Sequence, residues 1–233
     1  MTQLLFCVLV FAVAALAAAG LRRSAVPAMS IAGLLAVYIV IPGLLARLGA
    51  LDRYNPLPAP ALVLLLGLTL LTVFLTLGRR GAAVAAATPL AFLVTLQAFR
   101  IDVEWLLHRL YLEGSVPVQM TYTGRNWDVV TGITGLLLGG WLLTGRSAPR
   151  WLILLWNLAG LALLLNIVIV AVLSTPVPFR RFLAGPPNLL PSTFPYVWLP
   201  SFLVELALAS HLLVFRKIGI GGERRTGVNW SRR

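Results

Sequence analysis

The sequence predicts an all-α protein: a polytopic transmembrane bundle of about seven spans, N-terminus outside and C-terminus cytoplasmic. Three observations predict it. Of 233 residues, 59% are apolar and 11% charged, with a mean hydropathy of +0.91, whereas a soluble domain carries about 25% charged residues. Seven runs approach the about 20 apolar residues that a helix needs to cross roughly 30 Å of hydrocarbon. Twelve of the nineteen Lys and Arg residues fall where one orientation puts them in the cytoplasm. Intrinsic disorder is excluded by the hydrophobicity, and an intrachain disulfide framework by Cys7 being the single cysteine.

The first run, Leu4 to Ala19, ends in three alanines as a signal peptide can. Its leading residues Met1, Thr2 and Gln3 carry no positive charge, and Arg22 and Arg23 follow it, so a retained outside-to-inside span is the favoured reading. The second run is Pro27 to Leu48, and the third, Pro60 to Leu77, is nearly all Leu, Val and Thr. A fourth starts near Ala82 and keeps a helical pattern to Leu112. Arg100, Asp102, Glu104, His108 and Arg109 make its second half polar, which predicts a span with an amphipathic extension. The fifth, Val129 to Thr144, is short and Gly-rich; the sixth is Trp151 to Leu173 and the seventh Tyr196 to Phe215. Unbroken apolar runs are helical and not the alternating strands of a barrel. Residues 1–217 make one transmembrane domain, and 218–233 a basic tail expected to be disordered or, on a sharper reading, to rest on anionic inner-leaflet lipid.

Net charge is +12, and with the N-terminus outside nearly all of it is cytoplasmic: Arg22, Arg23, Arg79, Arg80, Arg146, Arg150, Arg216, Lys217 and four tail arginines, against Glu223 alone. Topology therefore accounts for the high pI. With no module of interleaved basic and aromatic residues, the expected partner is the bilayer and no nucleic acid.

Ionisable groups inside a span face protein or a water-filled cavity. At 100° per residue, Gln97, Arg100, Glu104, His108 and Tyr111 form one stripe of the fourth helix. Spacings of four let Arg100 pair with Glu104, and Glu104 accept from His108. Such a stripe either handles protons or locks one helix to its neighbours, and the two readings carry equal weight. In the following loop, Arg125 could hold a carboxylate or phosphate in two-point fashion. The blander reading has Asn126 or Asp128 capping the fifth helix. Arg180 and Arg181, in a Pro-rich outer segment expected to form a stiff lid, break the inside bias and could pair with Glu104, Glu113 or Asp128. Phe194, Tyr196 and Trp198 read mainly as interface anchors. Glu205 lies near the middle of the last span, with Asn157, Asn166 or Arg100 as expected partners.

No cofactor is expected. His108 and His211 should differ in depth by something like 20 Å, too far for a shared haem, and no metal, nucleotide or hydrolase motif is present. Gly135 to Gly139, G-L-L-L-G, fits small-residue helix packing and is weak support for a homo-oligomer or a membrane-complex partner.

F-R-I-D-V-E at Phe99 to Glu104 and M-T-Y-T-G-R-N-W-D at Met120 to Asp128, with P-F-R-R-F at Pro178 to Phe182 and F-P-Y-V-W-L-P at Phe194 to Pro200, resemble a family of uncharacterised bacterial polytopic membrane proteins. The resemblance implies a bacterial multi-span protein of the plasma (inner) membrane and attaches no chemistry. Three functions stand. The first is an outward-facing polar pocket that binds or transports a small anionic or protonatable ligand through Arg100, Glu104, His108, Arg125, Asn126, Asp128, Arg180 and Glu205. The second is a membrane enzyme acting on a lipid or lipid-linked substrate, with a lateral opening. The third is an accessory or scaffold subunit.

Overall fold

Backbone in hydrocarbon has to satisfy its own N–H and C=O groups, which leaves helices or closed barrels. The computed structural model describes residues 1–24 and 26–226, and among these every regular element is helical. We number the helices α1 (Thr2–Arg23), α2 (Ala28–Arg47), α3 (Pro60–Leu77), α4 (Arg79–Ala87), α5 (Leu90–Leu112), α6 (Val129–Leu143), α7 (Arg150–Ser174) and α8 (Leu199–Gly219). α1, α2, α3, α7 and α8 are each long and apolar enough to cross a membrane, and α4 with α5 passes as a sixth, broken span. The chain is a multi-pass membrane protein. Helical backbone continues from α8 to Thr226; the remaining residues of the basic tail, and the lipid contact expected of them, lie outside the described residues.

The expected fourth span is not one helix. α4 and α5 meet at 99° across Thr88 and Pro89, where proline lacks the N–H that would continue the helix and holds the residue before it out of helical conformation. The polar half is consequently no extension. α5, about 34 Å long at 1.5 Å per residue, is itself of membrane length and carries Arg100 near its middle. α4 is the amphipathic piece, with Arg79 and Arg80 exposed and Gly81 and Ala85 buried.

α6 has 15 residues, about 22 Å, and starts at the level of Arg100. A Cβ added at Gly132 would lie 3.0 Å from the Ile101 nitrogen and 3.4 Å from Arg100 Cβ. The segment from Glu113 to Asp128 therefore descends from the end of α5 to mid-depth, through a single 3-10 turn at Val118–Met120. Along α6, Gly135 lies against Val94 and Gln97, and Gly139 against Thr95. The G-L-L-L-G motif thus joins α6 to α5 within one chain.

At one end of the bundle, Thr2 Oγ1 donates to Glu113, and Arg47 lies 4.0 Å from the centre of the Phe194 ring. At the other, the Ser24 and Thr88 hydroxyls are 2.7 Å apart, Arg216 donates to the Thr76 and Gly78 carbonyls, and Lys217 to those of Ala85 and Ala86. Ser174 to Pro195 caps the first of these ends, with Val177, Leu190, Asn188 and Ser192 buried. The aromatic residues expected as interface anchors point inward. Trp198 is 7% exposed and donates to the Ile39 carbonyl at 2.8 Å, while Tyr196 packs on Phe6.

Gly139→Leu should destabilise the bundle by about 1–3 kcal/mol through overpacking, because its Cβ would sit 2.7 Å from the Thr95 nitrogen. Gly140→Leu, whose Cβ meets nothing within 4 Å, should leave thermal unfolding in detergent unchanged.

Candidate functional site

Two features stand out in the interior of the bundle, one polar and one apolar. The first joins α5, α6, α7 and α8 around a guanidinium. Arg100 Nε donates to Asp128 Oδ2 at 2.7 Å, and Nη1 lies 3.1 Å from His211 Nε2. Arginine only donates, so Nε2 accepts and the ring proton sits on Nδ1. Nδ1 then donates to Asn157 Oδ1 at 2.8 Å, and Asn157 Nδ2 returns a bond to the His211 carbonyl at 3.1 Å. Gly160 makes room for this ring: a Cβ there would lie 2.7 Å from His211 Cε1. Beside the pair, Asn126 Nδ2 donates to Glu104 Oε1 and to the Met120 carbonyl, and Asn126 Oδ1 accepts from the Asp128 N–H.

This differs from the stripe expected along α5. Arg100 pairs with Asp128 and not Glu104, and Glu104 takes Asn126 and not His108. The descending loop inserts its amide and carboxylate between positions that helical spacing alone would join. The expected cap also changes. Asp128 is the N-cap residue of α6 but makes no side-chain capping bond, and its Oδ2 accepts from Arg100 instead. Arg100, Glu104, Asn126, Asp128, Asn157 and His211 are each 5% exposed or less. Side chains fill this place, and the bonds among them link α5, α6, α7 and α8.

The remaining predicted residues lie apart from it. His108 is half-buried and stacks on Tyr122, with ring centres 4.7 Å apart. Arg125 is exposed over the Phe182 ring, and its carbonyl accepts from Asn166 at 2.8 Å. Arg180 donates to the Phe182 and Gly185 carbonyls at 2.8 and 3.1 Å and, among the described residues, pairs with no carboxylate. It pins the turn of its own loop. His211, which spacing arguments placed only as a remote haem candidate, belongs to the Arg100 cluster, since residue 211 of the descending α8 meets the middle of the ascending α5.

Glu205 is the exception that leads to the second feature. Its expected partners are engaged elsewhere, and Oε1 accepts from Thr69 at 2.6 Å. It lines a cavity of about 760 Å³, walled by α1, α2, α3, α4, α5 and α8 and almost wholly apolar. Such a volume lies within the usual range of small-molecule sites. The cavity occupies the half of the bundle that holds Ser24, Thr76, Arg80 and Thr88, while Pro27, Ser30 and Gly33 are exposed residues on its rim.

Its deep end is built from two stretches of π-helix, Ala36–Val40 in α2 and Leu199–Val204 at the start of α8. These pack on each other. Ser201 Oγ donates to the Tyr38 carbonyl at 3.0 Å, and the Tyr38 and Thr72 hydroxyls are 2.8 Å apart. A π-turn widens a helix by one residue and is frequent at functional sites. Here the two place Tyr38 and Glu205 on the cavity wall. Tyr38, Thr69 and Thr72 were not visible as candidates, because tyrosine and threonine in an apolar run look like ordinary span residues.

Arg100→Leu should leave Asp128 buried without its counter-charge and destabilise the protein by about 3–5 kcal/mol, while Arg100→Leu with Asp128→Leu should recover most of that. Thermal unfolding of the single and double variants in detergent measures it, and an unrecovered double variant would give the pair a role beyond locking helices.

Comparison with known protein families, with curated proteins and with solved structures found no match.

Proposed function

We propose that this is a seven-span protein of a bacterial plasma membrane, with its N-terminus outside, that binds a lipid-like amphiphile in the cavity between the α1/α2 pair and the rest of the bundle. The topology is supported by the shared end of Arg22, Arg23, Arg79, Arg80, Arg216 and Lys217. Lys and Arg are retained on the cytoplasmic side during insertion. With that end in the cytoplasm, the cavity lies in the inner half of the membrane.

One observation carries the functional reading: an apolar space of about 760 Å³ at membrane depth whose rim is exposed. An aqueous solute gains little from such walls. A chain already dissolved in the leaflet exchanges lipid contacts for protein contacts and needs no dehydration. The inner half of α2 packs chiefly on α1, so the rim between α2 and α3 faces lipid. The reading is preferred to an outward-facing polar pocket because Arg100, Glu104, Asn126 and Asp128 are surrounded by side chains. Their network is the brace that keeps the cavity wall in place, and the protein is a binding or transport protein for an amphiphile.

Two measurements follow. In a Cys7→Ser background, a membrane-impermeant maleimide applied to intact cells should label Glu113→Cys, and should label Ser147→Cys only after permeabilisation. The reverse pattern would invert the topology. Gly33→Trp adds an indole where a Cβ meets nothing within 4 Å and on the cavity rim. Native mass spectrometry should find an amphiphile retained by the wild-type protein and lost from Gly33→Trp; equal occupancy of the two would remove the cavity from the function.

A further inference from the structure

Glu205 is 3% exposed and lines the cavity, and its neighbouring polar groups are two threonine hydroxyls, Thr69 and Thr72. Oε1 accepts from Thr69. The Thr72 hydroxyl is shared between the Tyr38 hydroxyl, 2.8 Å away, and the Glu205 carboxyl, so the carboxyl meets hydroxyls and no cation. Among the described residues the one salt bridge is Arg100 with Asp128, so no basic side chain compensates Glu205. A carboxylate held only by hydroxyls in an apolar wall is unfavourable unless something brings it a positive charge.

The same cavity is lined by three aromatic rings, those of Tyr38, Phe92 and Phe202. Aromatic faces attract cations, most strongly where water is excluded. A lone carboxyl and aromatic walls around an apolar volume are the chemistry that recognises a hydrophobic cation. Arg80, the one basic residue on the lining, is exposed at the rim. There its charge can meet lipid phosphates away from the deep wall.

The geometry points to a lipophilic monocation as the class of amphiphile this cavity takes, its positive centre at Glu205 and its apolar body along α1, α2 and α3. This rests on the cavity being the binding site. An anionic amphiphile could hold its charge only at Arg80, and would leave Glu205 without a counter-charge.

The test uses the full chain in nanodiscs and two probes of nearly equal size and opposite charge, tetraphenylphosphonium and tetraphenylborate, titrated separately with empty nanodiscs subtracted. Tetraphenylphosphonium should bind saturably, and tetraphenylborate should not. Glu205→Gln should weaken the cation by about tenfold or more, the scale of one charge-assisted contact, Glu205→Asp should retain it, and Gly33→Trp should abolish it. Size-exclusion profiles establish that each variant is folded; a misfolded Glu205→Gln is replaced by Tyr38→Leu and Phe202→Leu, which should each weaken the cation. If the two probes bind equally, or the cation ignores Glu205→Gln, while Gly33→Trp still abolishes binding, the cation assignment falls and the cavity stands. If Gly33→Trp alters neither probe, the cavity reading falls as well.

Discussion

A guanidinium buried in hydrocarbon must be given a counter-charge and a set of acceptors, and much of this molecule is arranged around meeting that demand for Arg100. Its carboxylate comes from Asp128, which can reach it only if α6 starts at mid-depth, and that in turn requires the preceding loop to descend. Its imidazole acceptor comes from α8, and that imidazole is oriented by Asn157 on α7, across the flat face left by Gly160. The positions of three helices relative to α5 follow from one side chain. Lipid offers little drive to press apolar helices together, so buried polar bonds and close glycine contacts carry an unusually large part of the specification.

That brace and the cavity occupy neighbouring regions of the same helices. α8 runs past the cavity with Glu205, Leu206, Ala209 and Ser210, and turns its adjoining face, with Ala207 and His211, to α5. A close contact on one face and open space on the other divides α8 between the polar cluster and the cavity. The π-helical stretches sharpen it, since each rotates the residues beyond it relative to those before.

The multi-span helical character was legible from composition alone, and the boundaries of α1, α2, α3, α6 and α7 from their apolar runs. The Thr88-Pro89 corner was missed because proline after a small polar residue inside an apolar run reads equally as a tolerated kink. Arg100 and Glu104 stood out in the sequence because charge inside an apolar run is costly, and Asn126 and Asp128 as loop residues that could cap α6; the structure buries all four together. Their partners did not stand out, because helical periodicity relates residues along one helix, and these bonds run between an irregular loop and two other helices. His211 was set aside on depth, although counting residues from each end of α5 and α8 places it beside Arg100. Nothing in the sequence marks a cavity. It lies between elements far apart in sequence, α1 and α2 on one side and α3, α4, α5 and α8 on the other.

The short α6 also acts on its surroundings. Above it, Tyr122 and Trp127 are exposed on the loop, 41% and 60% respectively, whereas Ile133 and Leu137 are exposed on the helix below. On this flank the apolar belt ends well short of the length offered by α7. A hydrophobic stretch shorter than the bilayer is accommodated chiefly by local thinning of the surrounding lipid. The protein thus carries a built-in dimple in the bilayer on one side, and its preference among membranes of different thickness should be set by that flank.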